Sequence, residues 1–159
     1  MGVELTRCLG EAILGKQKIR VSRVLTVKVV EDDPQFAELL TDVLKGSKEI
    51  HLDSVYESLE DFVNSRSLSE VNWLPDVLVI DVLSSKDTRF DGATFANALR
   101  TSGNKVGVVL MSSMPLDRVI KSFRKVNPLG WRGLQKSSRL SPEQILNAVF
   151  EVADEMVIA

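Results

Sequence analysis

Pro75-Asp76-Val77-Leu78-Val79-Ile80-Asp81 is an apolar run opened by a proline and closed by an acid. A strand with one solvated face alternates apolar and polar residues. An unbroken apolar run of this length instead points to a strand covered on both faces. Asp81 then stands where the strand meets solvent. The same pattern recurs along the chain. Val24 to Val30 reads as a buried strand running into Glu31-Asp32-Asp33, and Val106 to Met111 stops at Ser112-Ser113. A shorter strand around Trp131 to Gln135 stops at Lys136, and another lies near Ile50 to Val55.

Helical patterns fill the gaps. Phe36, Leu39, Leu40, Val43 and Leu44 fall on one face of a helix. Asp33 suits its N-cap and Pro34 its first turn. Further helices are predicted at about Glu57 to Asn64, Ala93 to Arg100 and Leu116 to Val126. The last opens at Ser141-Pro142-Glu143 and has Ile145, Leu146, Val149 and Phe150 on its apolar face. Strand and helix thus alternate five times. The expected fold is α/β, a doubly wound five-stranded parallel sheet. In such sheets the ligand site lies beyond the carboxyl ends of the strands.

That edge would gather Glu31 and Asp32 from the first strand, Asp81 from the third, Ser112 from the fourth and Lys136 from the fifth. Each is weakly specific alone. An acidic cluster is more often a solvated face, a lone serine a cap, a lone lysine a surface charge. Their joint placement on successive strand ends carries the specificity. Clustered carboxylates repel one another and call for a cation. An all-oxygen donor set suits Mg²⁺, which retains waters and accepts phosphate oxygens. Lys136 can pair first with Asp81 and then with a phosphoryl oxygen, to which Ser112 can also donate. A carboxylate backed by a metal and an ammonium is a workable phosphoryl acceptor.

Residues 24–155 resemble the receiver domain of two-component response regulators. The resemblance rests on Val27-Lys28-Val29-Val30-Glu31-Asp32-Asp33-Pro34, the stretch 75–81, Asp91-Gly92, Val108-Val109-Leu110-Met111-Ser112-Ser113 and Lys136. It implies the CheY-like, flavodoxin-like (βα)5 fold. It also implies Mg²⁺ held by Glu31, Asp32, Asp81 and the backbone carbonyl of Leu83. Asp81 would be the phosphoacceptor, Ser112 the switch hydroxyl and Lys136 the phosphate-binding lysine. A sensor histidine kinase is the implied donor. The face built from the last two helices and the fifth strand (the α4-β5-α5 face of the family), roughly Leu116 to Lys125 and Glu143 to Val152, would bind an effector or a second copy.

The region near Ser141 to Leu146 is similar to NarL/LuxR-type transcriptional regulators, in which a DNA-binding domain usually follows. Three departures stand out. The loop from Asp81 to Gly92 is about three residues longer than is usual in the family and carries Lys86, Asp87, Thr88 and Arg89. Ser137 follows Lys136 where proline is common, and Trp131 and Gly133 compete for the position of the aromatic switch. These departures motivate an alternative, a receiver-like interaction module that does not use phosphate. A phosphatase built on Asp81 is disfavoured, because the general acid expected two residues later would be Leu83.

The 159 residues suit one domain of 24–159 plus an extension of 1–23. The extension holds five cations against two acids, a net of +3, so the remainder is at −5 within an overall −2. That balance argues against general nucleic-acid binding. Leu5, Cys8, Leu9, Ala12 and Ile13 are spaced for a short helix, with a poorly structured leader as the alternative. Cys8 is the one cysteine, so an internal disulfide is excluded and a reducing cytoplasm is expected. No apolar run approaches the ~20 residues of a membrane span. His51 and Trp73 read as structural residues.

Overall fold

The computed structural model describes residues 11–14, 17–20, 23–65, 73–82, 92–117 and 129–158. Two short strands come first, β1 (Glu11–Leu14) and β2 (Gln17–Arg20), paired antiparallel with Glu11 opposite Arg20 and Leu14 opposite Gln17. This corrects the expected helix for Ala12 and Ile13. Helical spacing runs across residues 5–13, but only Gly15-Lys16 separates the two paired segments. Gly followed by another residue is a favoured connection for a tight hairpin. Leu5, Cys8 and Leu9 lie outside the described residues.

The main sheet contains β3 (Leu25–Val30), β4 (Ile50–Tyr56), β5 (Val77–Asp81), β6 (Gly107–Ser112) and β7 (Trp131–Gln135). All pairings are parallel and the spatial order is β4-β3-β5-β6-β7. Numbered within this sheet alone, that is the 2-1-3-4-5 order of doubly wound folds. The order reverses between β3 and β5, so the chain leaves these neighbours in opposite directions and opens a crevice at their carboxyl ends. Every residue of β5 and β6 is buried, as their apolar runs require.

Helices α1 (Pro34–Lys45), α2 (Leu59–Asn64), α3 (Gly92–Thr101) and α4 (Pro142–Ile158) cover the sheet. One core joins Val27, Val29, Val77, Val79, Val109 and Met111 to Leu40 and Leu44 of α1 and to Val149 and Val152 of α4. The opposite core joins Leu78, Ile80, Val108 and Leu110 to Phe62 of α2 and to Ala96 and Leu99 of α3. Alternate residues of one strand thus feed opposite layers. Leu116 and Asp117 open a helical turn, and the rest of the helix expected to Val126 lies outside the described residues. Among those described, no helix is long and apolar enough to cross a membrane.

The helix starts follow local chemistry. Asp33 caps α1 by accepting from the Gln35 and Phe36 N–H groups, with Pro34 in the first turn. Ser58 caps α2, so this helix starts two residues after the expected Glu57. At α4, Ser141 Oγ accepts from Gln144 N–H (3.2 Å) while Gln144 Oε1 accepts from Ser141 N–H (2.8 Å). This reciprocal capping box satisfies two donors that the helix itself cannot.

Far from the crevice, Gly130 adopts φ = 76°, and a Cβ there would lie 2.0 Å from Met156 Sδ. The conformation favours glycine, and any larger residue would also have to displace the Met156 side chain. Buried Arg100 donates to the carbonyls of Leu129 and Gly130, and Glu155 accepts from Gly130 N–H. Burial alone would raise the Glu155 pKa, but the hydrogen bonds from Arg132 and Gly130 hold it below the ordinary carboxylate value. The entry to β7 is thereby fastened to α3 and α4.

Candidate functional site

The crevice collects the ends of four strands. Backbone bonds extend the ladders past the strands themselves. Glu31 N–H donates to Tyr56 O (2.9 Å), Val82 N–H to Met111 O (2.9 Å) and Lys136 N–H to Ser112 O (2.8 Å). The residues at these ends are therefore placed by the sheet.

Lys136 Nζ lies 2.8 Å from Asp81 Oδ2 and 2.8 Å from Glu31 Oε1. It also approaches Glu31 Oε2 to 2.7 Å, at an angle that leaves this buried oxygen without a hydrogen bond. Glu31 Oε1 accepts a second bond from Asp33 N–H (3.1 Å), which ties the site to the cap of α1. Asp32 is exposed, but one carboxylate oxygen from each of Glu31, Asp32 and Asp81 lies within 4.8 Å of the others.

The electrostatics follow from burial. The Glu31 side chain is fully buried, and its pKa is pushed up to about 7, first by desolvation and then by the neighbouring Asp81 charge. Burial works against the Lys136 ammonium, yet its hydrogen bonds to Asp81 and Glu31 raise its pKa above the ordinary lysine value. With all groups ionised, three carboxylates and one ammonium leave two uncompensated negative charges. A hard divalent cation fits both that charge and the all-oxygen donor set.

Ser112 is buried at the end of β6, but its Oγ is engaged with Met114. It accepts from Met114 N–H (3.0 Å) and donates to Met114 O (3.1 Å). The structure thus brings Glu31, Asp32, Asp81 and Lys136 together and turns the Ser112 hydroxyl into its own loop. Leu83, Lys86, Asp87, Thr88, Arg89 and Asp91 lie outside the described residues. Trp131 pairs with Val108 and Gln135 with Ser112, so Trp131 sits about 13 Å along the strands from Ser112. Its ring is buried in the core beside α3. Gly133, opposite Leu110, occupies the nearer position.

Two neighbours of the site were not evident from spacing. Phe36, expected only as a core residue of α1, places its ring 4.8 Å from Lys136 Nζ. Gly92 donates to Val82 O (2.7 Å), and a Cβ on it would fall 2.3 Å from the Asp81 carbonyl oxygen. Gly92→Ala must therefore push α3 away from the end of β5. A loss of about 2 kcal/mol in urea unfolding is expected, typical of overpacking; wild-type stability would show that the contact relaxes without strain.

The sequence matches no family model and no curated protein. Solved structures do match. The signal receiver domain of the response regulator NarL from Mycobacterium tuberculosis is 22% identical, with a TM-score of 0.63 over 82% of this chain and 97% of that one. The isolated receiver domain of RcsB from Salmonella enterica, solved with a phosphomimetic, is 13% identical, with a TM-score of 0.64 over 80% and 87%. RcsB bound to a promoter gives 12% and 0.65, over 86% of this chain and 63% of that one. This chain has the receiver-domain fold. The receiver architecture accounts for the strand order and for the crevice at its switch point.

Proposed function

We propose that the chain is a phosphoacceptor receiver domain of a two-component response regulator, spanning residues 24–159, with Asp81 as the acceptor. The observation that carries this reading is the Lys136 ammonium 2.8 Å from Asp81 Oδ2 inside a cluster of three carboxylates. An Asp81 oxygen attacks the phosphorus of a sensor histidine kinase's phosphohistidine. The P–O bond forms, the P–N bond breaks, and the departing imidazole takes up a proton. Glu31, Asp32, Asp81 and the Leu83 carbonyl would hold Mg²⁺, which when bound neutralises the negative charge gathered around the transferring group.

Lys136 then shifts from Asp81 to a phosphoryl oxygen, and Ser112 leaves Met114 to donate to another. The face formed by β7, α4 and the segment from roughly Leu116 to Lys125 responds and engages an effector or a second copy, which in a transcriptional regulator includes a DNA-binding domain. The receiver catalyses only its own phosphorylation and dephosphorylation, and the cytoplasm is its expected compartment.

Incubation with acetyl phosphate and Mg²⁺, followed by intact mass measurement, should yield one phosphorylated species. Chelating the metal should return it to background. Equal labelling with and without Mg²⁺ would remove the metal from the reading. No labelling at all would remove phosphorylation. A second reading, an interaction module independent of phosphate, draws support from Trp131 held in the core and Gly133 at the nearer position. It requires that replacing Asp81 leave partner binding unchanged.

A further inference from the structure

Lys136 has three N–H donors, and among the described residues Glu31 and Asp81 accept two of them. The ring of Phe36 faces the same ammonium, with 4.8 Å between Nζ and the ring centroid. Phe36 stands in the first turn of α1, where Asp33 caps the helix and Pro34 fixes its entry. The ring is partly buried against the core on that side of the sheet. It is therefore a preset wall, fixed by a helix whose cap residue also donates to Glu31.

We propose that Phe36 is a positioning residue for phosphoryl transfer: its π face seats the Lys136 ammonium over Asp81 without engaging its remaining N–H as an oxygen acceptor would. The proposal rests on the phosphoacceptor reading. An oxygen at this place would compete with the incoming phosphoryl group for that proton. An aromatic face attracts the charge, keeps water off one side, and accepts only a weak hydrogen bond. The ammonium is thus held in place yet ready to follow the phosphoryl oxygen. A leucine would preserve most of the apolar volume and lose the electrostatic seat.

The test compares the wild-type chain with Phe36→Leu and Phe36→Tyr. Acetyl phosphate with saturating Mg²⁺ is the donor, so kinase docking plays no part. The initial labelling rate should fall about three- to tenfold in the leucine variant, the size of a partly desolvated cation–π contact. The tyrosine variant should stay within about twofold of wild type, since its ring carries the same face. The Lys136 ε-methylene should show a ring-current displacement by NMR in the wild-type and tyrosine proteins and lose it in the leucine variant. Unchanged labelling in Phe36→Leu, or an equal slowing in Phe36→Tyr, overturns the positioning role. If the wild-type chain takes up no phosphate, the functional reading fails by itself. The NMR comparison then decides the seat alone, and the same methylene shift in all three proteins overturns it.

Discussion

Asp81→Asn is expected to abolish phosphoryl uptake from acetyl phosphate altogether, leaving no labelled species at a donor concentration that saturates the wild-type chain. The carboxamide is a poor nucleophile and forms no acyl phosphate, so the loss should be total rather than a graded slowing. The fold should survive. Lys136 keeps Glu31 as a partner at 2.8 Å, and the apolar part of β5 is untouched. Removing the Asp81 charge also removes one of the influences that raise the Glu31 pKa, which should move back toward its ordinary value. Mg²⁺ affinity should fall, because one of three clustered carboxylates is lost. The decisive measurement is peptide mapping after exposure to the donor. Label persisting in Asp81→Asn would identify another acceptor and overturn the assignment.

Lys136→Met should give the largest stability change. Glu31 is fully buried, and the ammonium is its principal compensation. Breaking a buried pair from one side typically destabilises by about 3–5 kcal/mol, because the surviving charge is stranded. Here protonation limits the damage, so the effect must depend on pH. A carboxyl whose folded pKa lies above its unfolded value stabilises fully below the unfolded pKa, and that contribution is lost as pH rises through the folded pKa. Glu31 is raised to about 7 from an ordinary 4.5, and losing the lysine raises it further. The gap between variant and wild type should therefore be wide at pH 8, about 3 kcal/mol, and narrow markedly by about pH 5.5. Urea unfolding in chelator at both pH values measures it. A gap that is equal at the two pH values would show that Glu31 does not bear the stranded charge.

Much of the site was legible because its parts lie at strand ends. Buried parallel strands are largely apolar, so a polar residue that closes such a run marks the sheet edge. Glu31, Asp81 and Ser112 close such runs, Lys136 is marked only by following the mixed strand Trp131–Gln135, and the structure gathers Glu31 and Asp81 with Lys136. The hydroxyl of Ser112 follows a different logic. Its orientation depends on the local turn to Met114, which a residue order does not reveal. The pairing of β1 with β2 is hidden in the sequence because four-residue strands are too short to carry a period of two against a competing helical spacing. Contacts such as Phe36 with Lys136, or Arg100 with the carbonyls of Leu129 and Gly130, join distant residues through the packing of whole layers. No local pattern announces them.

The sheet order gives the lysine contact a mechanical meaning. Lys136 leaves the outermost strand, β7, and reaches over the end of β6 to grip carboxylates at the ends of β5 and β3. One side chain thereby moors a peripheral strand to the middle of the molecule. Chemistry that alters the charge of Asp81 therefore acts on the hold over β7 directly, alongside the backbone ladder to β6. Slower or faster amide exchange confined to β7 would be its first visible trace.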